Sequence, residues 1–192
     1  MESVKVKEKK AFSALKEKFG YKNPMAAPRL LKVIVSSTTG SSKQKGRNEL
    51  VAGRLAKITG QKPSLRGAKK SIASFKLREG EKIGVIVTLR KERMYGFLDK
   101  FINIASPRTR DFRGYNRKSI DIMGNLTLGL KEQTIFPETV DEDLKDVFGM
   151  SITIVTSAKN KDEAGAFFEL LGIPFKKQGV EEEKKGSRKK KK

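Results

Sequence analysis

Residues 61–117 read QKPSLRGAKKSIASFKLREGEKIGVIVTLRKERMYGFLDKFINIASPRTRDFRGYNR. From Lys62 to Lys118 the chain has 16 lysines and arginines against 5 acidic residues, a local excess of +11. The basic residues alternate with glycine, serine, phenylalanine and tyrosine. Folded surfaces that hold phosphates and stack on bases combine these residue types. An ordinary solvated surface is the alternative interpretation, because charge runs usually lie in water.

Residues 83–90 of this stretch alternate in polarity, which predicts a β-strand. One face carries Val85, Val87 and Leu89, and the other carries Ile86, Thr88 and Arg90. A second face with threonine and arginine predicts a sheet that helices cover on one side only. The other side would then be free to bind a polar partner.

A helix is predicted next, because apolar residues recur at helical spacing up to Pro107. This stripe is interpreted as core: Met94, Phe97, Leu98, Phe101, Ile102 and Ala105. The loop after it gathers cations and aromatic rings: Arg108, Arg110, Phe112, Arg113 and Tyr115. This composition favours an RNA contact or a constrained binding loop. The structural alternative is an ion pair between Asp111 and a neighbouring arginine.

Towards the N-terminus, the pattern predicts an amphipathic helix over residues 4–19 that Gly20 ends. A short strand at 32–35 leads into a hydroxyl-rich turn at 36–42, interpreted as a loop and helix cap or as a phosphate donor. A helix follows over 45–59, with Val51, Leu55 and Ile58 inside and Gly60 as its stop. Residues 61–82 predict two short strands and an exposed loop.

Towards the C-terminus, residues 120–123 and 126–130 predict a hairpin around Gly124-Asn125. A strand follows at 152–155. The closing helix carries Ala164, Phe167, Phe168 and Leu171 and stops at Gly172. We expect one domain over residues 1–178 and a basic tail over 179–192 that is disordered in isolation.

The net charge and the residue types that are missing limit the classes of function that the chain can have. The 192 residues carry a net charge of +21, and about +15 remains without the tail from Lys176 onward. Such an excess favours nucleic acid as partner, with an anionic membrane surface as a weaker choice. The chain has no cysteine or histidine, which removes the usual zinc ligands, thiol nucleophile and neutral general base. The acidic runs at 141–143 and 162–163 are interpreted as first turns of helices.

These features predict a binding protein without cofactor or metal, not an enzyme. There is no apolar run long enough for a membrane span and no hydrophobic signal core, so we expect a cytoplasmic protein. Two rivals stay open. One is a free-standing nucleic-acid chaperone, for which the charge alone suffices. The other is an enzyme acting on RNA, which would need three or more convergent carboxylates and a metal.

Several sequence motifs, together with their order along the chain, resemble those of one protein family. They are GQKP at 60–63, AKKSIASFK at 68–76, VTLR at 87–90, PRTRDFRG at 107–114, GN at 124–125 and KEQTIFPE at 131–138. From about residue 10 to residue 177 the chain resembles the bacterial form of the universal large-subunit ribosomal protein number five, which binds 5S rRNA.

The resemblance implies an α+β fold: an antiparallel sheet with helices packed on one face and the other face open for RNA. It places Gln61 and Thr88 in polar contact with 5S rRNA, and we expect Lys62 and Arg90 to bind 5S rRNA as well. Ser36 stands where the family usually has an asparagine that contacts 5S rRNA, and its hydroxyl can still donate one hydrogen bond. Further RNA-contact candidates are Arg66, Lys69, Lys70, Arg108, Arg110, Arg113 and Tyr115.

Residues 71–78 match the family's protruding loop, which reaches the elbow of P-site tRNA. The loop comprises Ser71, Ile72, Ala73, Ser74, Phe75, Lys76, Leu77 and Arg78. The alternative is a buried strand, because three of these residues are apolar. The resemblance also implies 23S rRNA and neighbouring large-subunit proteins as partners. It further implies a small-subunit head protein as partner at an intersubunit bridge in the central protuberance.

Overall fold

The computed structural model describes residues 2–40, 46–110, 112–139 and 146–176. Its helices are α1 (Val4–Lys9), α2 (Ala11–Phe19), α3 (Arg47–Thr59), α4 (Lys91–Lys100) and α5 (Lys161–Leu171). Its strands are β1 (Leu30–Thr38), β2 (Ser64–Gly67), β3 (Lys82–Leu89), β4 (Leu126–Leu130) and β5 (Met150–Thr156). None of the helices in these residues is long and apolar enough to cross a membrane.

The strands form one antiparallel sheet in the order β2-β3-β1-β5-β4. β1 is central: Ile34 pairs with Thr88 of β3 on one side and with Thr153 of β5 on the other. Since sheet and helices share one core, the predicted α+β fold is confirmed.

Alternation of burial along the strands shows which face of the sheet meets the helices. In β5 every second residue from Met150 to Thr156 is buried, and the residues between them are half-buried. Val33, Val35, Val85 and Val87 show the same alternation in β1 and β3. These buried residues join the inner faces of the helices in one apolar core. The alternation of buried and half-buried residues therefore indicates a sheet that the helices cover on one face.

The structure confirms which residues of the predicted helices face the core and which glycines end them. The predicted stripe of α4 is buried from Met94 to Ala105, and its last turn, Phe101–Ala105, is a π-helix. Gly20, Gly60 and Gly172 each end a helix in the left-handed conformation. Glycine adopts it without the Cβ clash that other residues suffer.

The predicted helix over 4–19 is wrong in one respect, because it is two helices that separate at Lys10. Polar contacts tie α1 to α4. The Ser3 hydroxyl and the Val4 amide donate to the Asp99 carboxylate, at 2.8 Å and 2.7 Å. α2 packs on α5, where Tyr21 just beyond its end donates to the Glu163 carboxylate. Both halves contact α5, and α1 contacts α4 as well.

Three strand predictions need correction. β1 extends beyond 32–35 in both directions, because β3 pairs with it as far as Thr38 and β5 pairs with it from Leu30 to Ser36. The first strand of the hairpin at 120–123 is absent: only Ile120 bridges to Leu126, and the Asp121 carboxylate accepts from the Asn125 amide at 2.7 Å to close a local turn. Residues 61–82 contain one named strand, β2, before β3 begins.

Candidate nucleic-acid interface

The face of the sheet opposite the helices is built from five strands in register. Residues that pair directly across antiparallel strands lie on the same face. The register therefore assigns one set of positions to this uncovered face: Lys32, Ile34, Ser36, Thr38, Ser64, Arg66, Gly84, Ile86, Thr88, Thr127, Gly129, Ser151, Thr153 and Val155. All but Gly84 are half-buried or exposed. We call this set the uncovered face.

Half of the uncovered face consists of serine and threonine. Isoleucine and valine lie between the hydroxyls, and the two cations, Lys32 and Arg66, lie at its margin. None of these paired positions, all within the described residues, carries a carboxylate. A polyanion can approach such a surface without meeting a like charge. These paired positions therefore present no negative side-chain charge to a partner.

Gln61 and Thr88 meet at one corner of this face. The Gln61 amide nitrogen donates to the Thr88 main-chain carbonyl at 3.3 Å. The Gln61 amide oxygen lies 3.5 Å from the Arg93 guanidinium. This leaves the Thr88 hydroxyl without a hydrogen-bond partner among the described residues. We call Gln61, Lys62, Thr88, Arg90 and Arg93 the corner.

The corner is cationic, since Lys62, Arg90 and Arg93 are exposed. Arg93 was not predicted as a site residue, because its place beside Gln61 depends on how α4 leaves the end of β3. The sequence signal that could have indicated it is an unpaired arginine in the first turn of a helix, where the dipole disfavours positive charge. Ser36 lies two positions along β1 from Ile34, which pairs with Thr88.

The protruding loop, residues 71–78, is a tight and exposed structure. Ile72 bridges to Leu77, a 3₁₀ turn spans Ala73–Phe75, and Lys76 is left-handed with φ of 50°. The Phe75 side chain is 71% exposed and Ile72 is 42% exposed. A buried strand requires the opposite, so that alternative is wrong. Lys76 and Arg78 are exposed as well, so the loop carries two cations in addition to its exposed apolar side chains.

A cleft of about 280 Å³ separates the loop from the start of α3. Phe75, Lys76 and Leu77 line one side of it, and Thr39, Arg47 and Asn48 line the other. The Asn48 side chain bonds to the Thr39 hydroxyl and to the Lys82 carbonyl. Lys69 and Lys70, at the foot of the loop, are exposed.

One tyrosine, Tyr115, packs the arginine-rich loop after α4 against the core. Tyr115 stacks on Phe101 with ring centroids 6.1 Å apart and meets Phe112 edge-on at 5.1 Å. Its hydroxyl lies 3.2 Å from that of buried Ser106, and burial raises the pKa of Tyr115. The main chain at Gly114 packs closely against the main chain of Phe175. Only glycine allows this contact, because a Cβ at residue 114 would lie 2.8 Å from the Phe175 carbonyl carbon. Tyr115 therefore anchors the loop.

The cations of this loop lie at the protein surface. Arg108, Arg110 and Arg113 are exposed, and no ion pair holds them within the described part of the chain. Asp111, which could have paired with one of them, lies outside the described residues. The loop thus exposes three arginines, and aromatic packing of Tyr115 holds the loop in place.

Two carboxylates of the described residues have structural roles. Glu163, in the first turn of α5, is buried and accepts from Tyr21 and from the Lys159 amide. Glu8 accepts from the Leu30 amide at 2.8 Å and from Tyr95 at 2.5 Å. No three acidic groups converge as a metal site in the part of the chain that the structure describes. Residues 141–143 lie outside it.

Comparison with known proteins returns a consistent result. Residues 23–78 match the family model described as ribosomal protein L5, and residues 82–175 match the model described as the C-terminus of the same ribosomal protein family. Each of the following relatives is a large ribosomal subunit protein uL5. The protein of Heliobacterium modesticaldum is 51% identical over 165 residues, 85% of this chain and 92% of the relative. That of Dictyoglomus turgidum is 52% identical over 170 residues, 88% and 95%. That of Dictyoglomus thermophilum is 53% identical over 165 residues, 85% and 92%.

Proposed function

Because the chain belongs to the ribosomal protein L5 family, whose members are structural and not catalytic proteins of the large ribosomal subunit, we propose that it binds 5S rRNA through the uncovered face of its sheet. Its place is in the ribosome. The RNA lies across the hydroxyl-bearing strands and reaches the corner of Gln61 and Thr88.

One observation carries the proposal: a carboxylate-free sheet face ends in a corner of three exposed cations. Phosphate contacts supply most of the affinity of such surfaces and fix the orientation of the RNA. The hydroxyls of Thr88 and Ser36 are then placed to bond with the RNA between the phosphate contacts. Lys62 and Arg90 hold phosphates at the rim.

Further contacts extend from the same fold. Residues 71–78 contact P-site tRNA, with Phe75 as an apolar face and Lys76 and Arg78 near phosphates. Arg108, Arg110 and Arg113, together with Arg66, Lys69 and Lys70, contact RNA outside this loop, including 23S rRNA. The protein also meets neighbouring large-subunit proteins and a small-subunit head protein at an intersubunit bridge in the central protuberance.

Residues 1–178 form one binding domain in this proposal, and 179–192 form a basic tail. The sheet supports the single domain. β1 and β2 come from the first matched segment, and β3, β4 and β5 come from the second, yet β1 lies between β3 and β5. The two matched segments therefore share one sheet.

A competition titration tests the proposal. Labelled 5S rRNA is titrated with the full chain at about 150 mM salt, and unlabelled 5S rRNA or a structured RNA of equal length is then added. We expect saturation at one protein per 5S rRNA and displacement by 5S rRNA at far lower concentration than by the other RNA. Equal displacement by both RNAs would favour the nucleic-acid chaperone and overturn the proposal.

A further inference from the structure

The sheet ends on one side at β4, whose outer edge pairs with no other named strand of the described residues. The Asp121 amide donates to the Asn125 carbonyl at 2.9 Å, so the Asn125 carbonyl faces away from β5. Main-chain groups of successive residues in an antiparallel strand point to opposite edges. Thr127 and Gly129 therefore direct their main-chain groups outward, and Leu128 directs its groups towards β5.

One part of this outer edge is covered and another part is open. Ile120 bridges to Leu126 and covers the edge at the start of β4. Beyond that bridge, the Thr127 carbonyl and both main-chain groups of Gly129 have no hydrogen-bond partner in the described part of the chain. Both residues are exposed. An extended peptide supplies the alternating donors and acceptors that such an edge lacks. Phosphates of RNA only accept hydrogen bonds, so they cannot pair with the two carbonyls.

β4 lacks the features that protect an edge strand from pairing. Prolines, charged side chains and bulges serve this purpose in natural sheets. Residues 126–130 read LTLGL, without proline or charge, and pair with β5 in continuous register. At the opposite edge, β2 follows Pro63, carries Arg66 and has a register irregularity before Gly67. The sheet is therefore protected at the β2 edge and open at the β4 edge.

Two lysines lie beside the open part of β4. Lys118 is in the short 3₁₀ turn that contacts β4, and Lys131 directly follows the strand. Both are exposed, and neither forms an ion pair with another described residue. A second copy of this chain would bring the same lysines and a net charge of +21 to the contact, which disfavours it. Charge complementarity favours a partner segment with acidic residues.

We propose that the open edge of β4, at Thr127 and Gly129, is a docking site for an extended acidic segment of another protein, which adds a strand beside β4. Main-chain hydrogen bonds hold the segment, and Lys118 and Lys131 select acidic residues at its ends. The hydrogen-bonding groups of this site lie in the plane of the sheet, so the site is separate from the uncovered face and from the corner. It requires no RNA and goes beyond the proposed function.

The test uses the full chain without RNA and synthetic peptides of about ten residues, the length of a long strand. The acidic probe alternates valine and threonine between glutamates at both ends, because valine and threonine favour strands. In one control peptide the backbone amides of the valine and threonine residues are N-methylated, and in the other lysines replace the glutamates. Fluorescence anisotropy gives the dissociation constants, and NMR gives the hydrogen exchange rate of the Gly129 amide.

Three variants accompany the wild type. Gly129→Pro removes the outward amide and leaves the β4–β5 hydrogen bonds in place, since that amide points away from β5. Gly129→Ala is the matched control, because it keeps the amide and a Cβ there would meet nothing within 4 Å. Lys118→Glu combined with Lys131→Glu reverses the charge beside the edge. Urea unfolding shows whether each variant is folded.

We expect the acidic probe to bind the wild type and Gly129→Ala alike, with a Kd below about 1 mM, and to slow exchange of the Gly129 amide about tenfold. Gly129→Pro, and N-methylation of the probe, should each weaken binding about tenfold, since main-chain hydrogen bonds are lost. The charge-reversed variant should prefer the peptide with lysine ends. If Gly129→Pro does not fold, the N-methylated peptide and the charge-reversed variant still decide the test.

Three results overturn the inference. In the first, the acidic probe does not bind at about 1 mM, or the N-methylated peptide binds equally well. In the second, 5S rRNA displaces the bound probe at one RNA per protein, which would assign the edge to an RNA contact. In the third, sedimentation shows a wild-type dimer that Gly129→Pro abolishes, which would make the occupant a second copy. The 5S rRNA titration of the wild type is a separate experiment, so failure of the proposed function remains distinguishable.

Discussion

The side-chain amide of Gln61 donates to the main-chain carbonyl of Thr88 at 3.3 Å, so two candidate residues from different elements form one unit. Gln61 lies between α3 and β2, and Thr88 lies near the end of β3. The Thr88 hydroxyl has no hydrogen-bond partner in the part of the chain that the structure describes, and the Gln61 amide oxygen lies 3.5 Å from the Arg93 guanidinium.

We predict that Thr88→Val and Gln61→Ala each weaken binding to 5S rRNA while the fold persists. Both side chains are half-buried at the corner of the uncovered face, so the free energy of unfolding should change by about 0.5 kcal/mol or less. Filter binding gives the affinity, and thermal unfolding gives the stability. A large drop in stability with unchanged affinity per folded molecule would place both residues in the core.

The affinity for 5S rRNA should fall steeply with salt. Five cations border the proposed RNA site: Lys32, Lys62, Arg66, Arg90 and Arg93. If each neutralises one phosphate, log affinity falls with log salt with a slope of about −4 or steeper. Arg93→Gln should make the slope shallower by about one, and Ser13→Ala should leave it unchanged. A flat response between low and moderate salt contradicts phosphate contacts at this rim.

The protruding loop should act on tRNA and not on 5S rRNA. Deleting residues 74–76 removes the exposed turn tip, and we expect the 5S rRNA affinity to stay within about twofold, under about 0.5 kcal/mol. Retention of P-site tRNA on ribosomes that carry the variant should decrease. Phe75→Ala, at a side chain 71% exposed, is the milder variant with little effect on unfolding. Loss of 5S rRNA binding with normal tRNA retention would move the loop into the 5S interface.

Arg54 should contribute strongly to stability although it lies in a polar network. The residue is 7% exposed, its guanidinium donates to the Asp146 carbonyl at 2.7 Å, and it lies 3.6 Å from the Asp146 carboxylate. Arg54→Ala leaves these groups without a donor, which costs about 3 kcal/mol. Arg54→Lys keeps the charge but loses the planar fork, and should fall between. Urea unfolding measures both; equal stability of all three proteins would refute the role.

Alkaline pH should weaken the fold through Tyr95. Burial, followed by the hydrogen bond to Glu8, raises the pKa of Tyr95 to about 12 from an ordinary value of 10.0. Because the folded state favours the neutral phenol, this stabilisation is complete below pH 10 and is lost as the pH rises from 10 to 12. In Tyr95→Phe, urea unfolding between pH 9 and pH 12 should show a shallower loss of stability. An identical pH profile in both proteins would exclude this contribution.

Periodicity predicted the elements that carry a strong apolar signal. The strand at 83–90 and the stripe of α4 are confirmed because alternation or helical spacing is continuous there. The hairpin prediction at 120–123 is wrong because the Asp121 side chain closes a local turn, which alternation does not indicate. β1 is longer than predicted because Ser36 to Thr38 carry little apolar signal and depend on pairing with distant strands.

The composition of the site was less accessible from the sequence than the fold. Gln61 and Thr88 were predicted through family resemblance and lie together. Ser151 and Thr153 lie more than 110 residues from Ser36 along the chain, and only the register brings them to one face. Arg93 depends likewise on the angle at which α4 leaves β3. Residues that share a surface through pairing have no common local pattern.

The position of β1 has a consequence for synthesis. Leu30 of β1 pairs with Thr156 of β5. The edge of β1 that faces β5 therefore has no partner until about 126 more residues have left the ribosomal exit tunnel. Contacts so distant in sequence slow folding, and an open strand edge invites pairing with other nascent chains. Synthesis of β5 thus decides when this edge of β1 is covered.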